Sequence, residues 1–280
     1  YKKGPYYAET GDFSSAGSAH LTYRTQLKEP FAQFTLGANG YQRAVAANST
    51  RLNEDVHFIS ALERMNNNGP WVNPEGLRKS NALFSLAQGS KTNGWSAAFS
   101  AYQAHWNSTD QVPARLIDQG QYLGKSFGLF DAIDPSDGAK TSRYSLFGQW
   151  QQLSREHLDK FNWYGIYSDL NIFSNLTYNT EPLSRPYGDQ IEQFEKRNAI
   201  GGAASRSWLS GEHESQAFIN TLGVQFREDL IRLGLNNTAK RMVMQNVRDD
   251  QVKQFQIGFF AENEMFWQEW LKTITGIRYD

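Results

Sequence analysis

The stretch Phe161-Asn162-Trp163-Tyr164-Gly165-Ile166-Tyr167-Ser168-Asp169-Leu170-Asn171-Ile172-Phe173-Ser174-Asn175-Leu176-Thr177-Tyr178 decides how this chain is read. Tyr164, Ile166, Leu170, Ile172, Leu176 and Tyr178 share one parity, while Asp169, Asn171, Asn175 and Thr177 share the other. A period of two marks a strand with two different faces, because successive side chains point to opposite sides. The pattern is also long. An ordinary strand runs about 5 or 6 residues, whereas this one persists about three times as far, as tilted barrel strands that project above a membrane do.

Weaker copies lie on either side. Tyr144, Leu146 and Trp150 oppose Arg143, Ser145, Gln149 and Gln151, and Phe218, Leu222, Val224 and Phe226 oppose Thr221, Gln225, Arg227 and Asp229. The segments 31–40, 55–65, 95–106, 252–267 and 270–280 read similarly, although 95–106 is apolar on both parities and its faces stay unassigned. Short polar turns such as Ser90-Lys91-Thr92-Asn93-Gly94 and Gly211-Glu212-His213-Glu214 trade places with long stretches at 114–141 and 181–197, the short-and-long habit of a membrane barrel. Aromatic residues crowd the strand ends, at Trp71, Trp95, Trp106, Phe161, Trp163, Trp208, Phe266, Trp267 and Trp270, where they would form interfacial girdles. Counted from Phe31, the strand-like segments number about eleven, and an odd antiparallel set cannot close on itself without one parallel pair. The expectation is an open piece of a larger barrel, truncated inside a strand at Gly276-Ile277-Arg278-Tyr279-Asp280.

Composition agrees. The 280 residues are 39% hydrophobic and 14% aromatic, too apolar for a disordered chain. Mean hydropathy is −0.62, and no run approaches the roughly 20 apolar residues of a membrane helix. Barrel strands escape that test, since only every second residue need be apolar. A net charge of −1, with 28 basic against 29 acidic residues, argues against nucleic acid as a partner. The absence of cysteine removes disulfides and thiolate metal sites. No secretory signal is visible at Tyr1-Lys2-Lys3-Gly4-Pro5, so a processed N-terminus or a fragment is expected.

Motifs for chemistry are weak. Gly124-Lys125-Ser126-Phe127-Gly128 fits the G-x-S-x-G pattern and the span 120–126 nearly fits a phosphate loop, but neither is followed by a helix pattern. Asp131, Asp134 and Asp137 recur at every third residue, where calcium loops of the EF-hand kind place ligands at every second, so a turn of Asp, Pro and Gly is the better account. His20, His57, His105, His157 and His213 show no helical pairing. No catalytic residue, metal site or cofactor is expected, and the chain is not read as an enzyme.

The opening Tyr1-Lys2-Lys3-Gly4-Pro5-Tyr6-Tyr7-Ala8-Glu9-Thr10-Gly11-Asp12-Phe13-Ser14-Ser15-Ala16-Gly17 resembles the end of the plug domain in TonB-dependent outer-membrane receptors, with its KGP element and YGDF-like residues. The span 66–71 with Asn73-Pro74-Glu75 and Asn81 resembles that family's first large extracellular hairpin, as does 106–115 completed by 134–138 and 141–146. The spans 258–267 and 276–280 resemble its paired barrel motif of an acidic strand before a GLRYD-like strand. These likenesses occur in the family's order. They imply an all-β fold, a transmembrane antiparallel up-and-down barrel of about 22 strands closed by a plug. Residues 1–28 would be the end of that plug, and 29–280 the first eleven or so strands.

Also implied are location in the Gram-negative outer membrane, contact with its lipid, energisation by the TonB complex through an N-terminal part, and import of a small-molecule ligand. A ferric siderophore or other metal chelate is the commonest cargo of the family. In such a lumen Arg, Tyr and Trp can hold anionic or aromatic chelates by charge and stacking, which nominates Arg78, Trp106, Arg115, Arg143 and Tyr187. A passive porin or adhesin barrel is the alternative, though it leaves the plug-like opening unexplained. A barrel enzyme would need a His and Ser or acid grouping on facing strands, and none is evident.

Overall fold

The computed structural model describes residues 1–4, 6–11, 14–90, 92–108, 111–122, 124–175, 189–210 and 217–280. Eleven strands form one antiparallel sheet in chain order. They are β1 (Phe31–Leu36), β2 (Gln42–Arg51), β3 (Val56–Asn67), β4 (Leu77–Gly89), β5 (Asn93–Asn107) and β6 (Gly138–Leu153). Then come β7 (His157–Asn175), β8 (Gln190–Ser210), β9 (Ala217–Ala239), β10 (Met242–Gln268) and β11 (Leu271–Tyr279). Each pairs only with its neighbours in sequence, so β1 and β11 are the two edges and the sheet is an open meander.

The two faces of the sheet are told apart by what touches them. The N-terminal segment lies against one face: the Tyr23 ring packs 4.9 Å from that of Phe147 on β6, and the Ala8 amide donates to Glu262 on β10. Register carries Phe147 across Tyr164, Gly201 and Arg227 to Gln256, which makes this one continuous inner wall. The opposite face is an unbroken apolar band. One row runs Trp95, Trp150, Phe161, Ala204, Val224, Phe259, Tyr279 across seven strands, and the next runs Trp163, Gly202, Phe226, Ile257. Phe255 is 61% exposed and Ile277 73%, values no water-soluble core would leave uncovered.

The alternation read from β6 and β9 corresponds to these faces, with Tyr144, Leu146, Trp150, Leu222 and Phe226 outward and Arg143, Gln149, Gln225 and Arg227 inward. On β7 the apolar parity points inward instead. Tyr164 and Ile166 line the wall, and the outward band is supplied by Phe161 and Trp163. Strand β5 is resolved as Trp95 and Phe99 outward, with Ala98 and Trp106 inward.

Turns alternate in length. Residues 52–55, 90–92, 154–156 and 269–270 close one end, while 68–76 and 108–137 spread over the other. The turn at 211–214 lies outside the described residues. Two expected loops end earlier than read, since β6 begins at Gly138 and β8 at Gln190. Beyond the apolar band strand residues are polar and hydrogen-bond to one another, as Gln190 does with Thr238, so polar residues there no longer mark a loop. The loop 108–137 holds α1 (Ala114–Gln119) and a small hairpin in which Gln121–Tyr122 pairs with Lys125–Ser126, leaving no strand-to-helix elbow around Ser126.

Candidate functional site

The inner wall is polar because alternate residues of β7–β11 place Arg, Gln and Asp there. On β8 and β9 the parity that exposes Ile200, Leu222 and Phe226 outward puts Arg197, Gln225, Arg227 and Asp229 inward. Asp229 is the hub: Arg227 Nη2 donates to it at 2.9 Å and Arg197 Nη1 at 3.3 Å, while Arg197 Nε also donates to Glu195 at 2.9 Å. Gly201 opens space beside this pair, since a Cβ there would overlap the Tyr164 ring. Tyr164 therefore lies flat along the wall. Tyr164, Arg197, Gln225, Arg227 and Asp229, with Thr10, Gly11 and Arg278, line a cavity of about 660 Å³.

The N-terminal segment closes that cavity through main-chain contacts. Arg278 Nη1 donates to the Ala8 carbonyl at 3.1 Å and to Gln225 Oε1 at 3.0 Å, and Gln225 Nε2 donates to the Glu9 carbonyl at 2.6 Å. Glu262 accepts the Ala8 amide at 3.0 Å. Lys2 and Glu9 form an ion pair within the segment, whose two-residue strand Lys2–Lys3 pairs with Gly17–Ser18. Arg278 is itself held by Asp280 at 2.5 Å. The three arginines thus face three carboxylates, Glu195, Asp229 and Asp280.

A second polar cluster sits on β2–β4, where Glu63 accepts from Arg43 at 2.6 Å and Asn81 at 2.5 Å, with Lys79 Nζ at 3.4 Å. Beside it a cavity of about 320 Å³ is lined by Tyr23, Tyr102 and Arg143. At the long-loop end a clasp of polar side chains joins three hairpins. Asp137, 1% exposed, accepts from the Asn175 amide at 3.0 Å and from Gln190 Nε2 at 2.9 Å. Gln190 Oε1 in turn accepts from Thr238 Oγ1 at 3.0 Å and the Arg241 amide at 2.8 Å. The Arg241 guanidinium crosses to the Ser136 carbonyl at 2.6 Å and Asn107 Oδ1 at 3.1 Å. Asp134 Oδ1 accepts the Ser136 amide at 2.9 Å, a side-chain-capped turn. Among the described residues no group of three or more His, Cys, Asp or Glu is arranged to hold a metal ion.

Of the five residues nominated from sequence, Trp106 and Arg143 lie on the inner parity of adjacent strands, and Arg143 reaches the smaller cavity. Arg78 shares the outward parity of Phe84 and Leu86. Arg115 is exposed on α1 in the long loop, and Tyr187 lies outside the described residues. Sequence reading passed over Arg197, Asp229 and Arg278, although Glu195/Arg197, Arg227/Asp229 and Arg278/Asp280 each repeat a charge pair two residues apart.

No family model matches the chain, and no curated protein matches it in sequence. Solved structures do match. Over 99% of its length the chain superposes on the ferric-catecholate import receptor Fiu from E. coli K12 in its closed form, with a TM-score of 0.74 and 12% identity. The siderophore receptor PiuA from Acinetobacter baumannii matches over 99% with a TM-score of 0.68 and 11% identity. The fold is the one that these structures share over the matched part of their barrels. The ferric yersiniabactin uptake receptor FyuA from Yersinia pestis gives the same picture, with a TM-score of 0.66 and 11% identity. This chain covers 44%, 46% and 42% of those three chains, so it spans less than half the length of the receptors it matches.

Proposed function

We propose that the chain is the end of the plug, residues 1–28, and the first half of the barrel, residues 29–280, of a TonB-dependent outer-membrane receptor that imports a ferric siderophore or similar metal chelate. The observation that carries this reading is the N-terminal segment held against the inner wall by Arg278, Gln225 and Glu262. A segment folded onto the inner wall is what a plugged barrel would hold there. The receptor-like superposition over 99% of the chain supports the same reading.

The outward apolar band would face outer-membrane lipid, and the rest of the receptor would carry the contact with the TonB complex. The role is transport, with no catalytic step. Trp106 and Arg143 line the route of the solute, and Arg115, in the long loop, would meet it outside. The test is uptake of a radiolabelled ferric catecholate by iron-starved cells in which the parent gene is deleted or restored. Uptake should depend on the gene and collapse when the proton-motive force is dissipated. Uptake that survives dissipation would establish a passive pore instead.

A further inference from the structure

The outward face of the sheet is divided in its charge. On β7–β11 every outward Lys and Arg has a carboxylate partner: Lys196 with Asp169 at 3.8 Å, Arg206 with Asp159 at 2.6 Å, Arg232 with Asp249 at 2.7 Å and Lys253 with Glu228 at 2.8 Å. On β1–β6 the outward positions hold Arg64, Arg78, His105 and Lys140, and among the described residues of those strands not one outward Asp or Glu. Register sets Arg78, His105 and Lys140 side by side on three neighbouring strands, with Arg64 two residues lower beside Ser80. Neighbouring strands stand about 4.8 Å apart, so the row spans about 10 Å. All four residues are exposed, and none forms an ion pair among the described residues. Glu75, in the connection just above, lies within 3.5 Å of Asn67 instead.

Directly below this row the surface is hollow. Phe34, Ala44, Ala46, Leu62, Ala82 and Ala101 line an outward groove of about 700 Å³, and Arg64 stands at its polar end, donating to Ser80 Oγ at 2.6 Å. Alanine at four of six positions leaves a channel where larger side chains would fill the band. Tyr144 and Gln103, hydrogen-bonded to each other, form its side.

We propose that this face is a binding site for a phosphate-bearing membrane lipid, its acyl chain in the alanine groove and its phosphate on Arg64, Arg78 and Lys140. Unpaired cations beside an apolar channel complement an anionic head on a hydrocarbon tail, and a guanidinium is well matched to phosphate oxygens. The site rests on the reading of this chain as a membrane barrel.

The test uses the purified chain in neutral detergent, with dioleoyl phosphatidic acid and dioleoyl phosphatidylcholine as probes and native mass spectrometry as the readout. The parent chain should retain phosphatidic acid in preference. Arg64→Gln, Arg78→Gln and Lys140→Gln combined should lower that retention at least about tenfold, given charged hydrogen bonds of this kind. The control pair Lys196→Gln and Arg206→Gln should leave it unchanged. Ala82→Phe, which keeps every charge but fills the groove, should also lower it. Equal retention by parent and triple variant would overturn the site, and so would displacement by inorganic phosphate as effective as by the lipid. Insertion into phosphatidylcholine vesicles, followed by tryptophan fluorescence, separates the two readings. A chain that enters no bilayer sinks the membrane reading and this site with it, whereas insertion without preference for phosphatidic acid sinks the site alone.

Discussion

Three residues show how much single positions decide. Gly201 is small because Tyr164 occupies the space where its Cβ would lie. Gly201→Val should push the ring off the wall beside Arg227, at a cost of about 1–3 kcal/mol for overpacking, read as a lowered thermal midpoint in detergent. Arg241 closes the β9–β10 hairpin with Lys240, both with positive φ, 65° and 51°. Non-glycine residues pay about 1 kcal/mol each for that conformation, and here the guanidinium contacts to Ser136 and Asn107 offset it. Arg241→Ala should therefore free the hairpin tip and speed its amide exchange about tenfold or more, as loss of hydrogen bonds from a charged donor implies. Arg241→Gly should relieve the backbone and still lose the cross-loop contacts, so loop 108–137 should be cut faster by protease in both variants. Arg278 acts through the main chain of residues 8 and 9. In Arg278→Met the N-terminal segment should become accessible to limited proteolysis while the strands stay protected, and equal cleavage in both proteins would remove Arg278 from that role.

At the scale of elements, the strands lengthen from 6 residues in β1 to 27 in β10, so the later hairpins stand well clear of the apolar band. Out there the pair Arg232 and Asp249 ties β9 to β10 by two parallel hydrogen bonds of 3.0 and 2.7 Å. The Arg232 hydrogen bonds hold the Asp249 carboxyl below its ordinary value of 3.8. Because the folded value is depressed, the pair supports the stalk fully above the ordinary value and its help is lost as pH falls through the lowered one. A carboxyl-carbon NMR titration should place the Asp249 midpoint below 3.8, and Arg232→Gln should return it toward 3.8. Elements also explain what pattern reading could and could not see. β6 and β9 were legible because large apolar residues alternate with Arg, Gln and Asp. β2, β4 and β8 could be counted but their faces could not be assigned, since Ala44, Ala46, Ala82, Gly201, Gly202 and Ala203 carry too little contrast between faces, and only pairing with neighbours decides them. The start of β8 was lost to its charged Glu192, Glu195 and Lys196, whose partners Asn171 and Asn236, Arg197, and Asp169 are met only in the folded sheet.

For the whole molecule, the open meander leaves β1 and β11 with unpaired edges and an uncovered apolar band behind them. Purified by itself, the chain should require detergent and associate through those edges, and light scattering that shows a monodisperse monomer without detergent would contradict the membrane reading. The sequence by itself determined the all-β character, the count of about eleven strands and the antiparallel meander, because period-two alternation and turn spacing are local properties that register cannot alter. It also set Arg143 on the polar parity opposite Tyr144 and Leu146, while the face of Trp106 stayed open. Only the tertiary structure decided which face is the inside. On β7 both parities carry apolar residues, and the N-terminal segment seated beside Tyr164 and Arg278 is what makes one of them the lumen. The inner ion pairs, the polar clasp of Gln190 and Arg241, and the outward row of Arg78, His105 and Lys140 were likewise beyond the sequence, because each joins residues brought together only when distant strands fall into register.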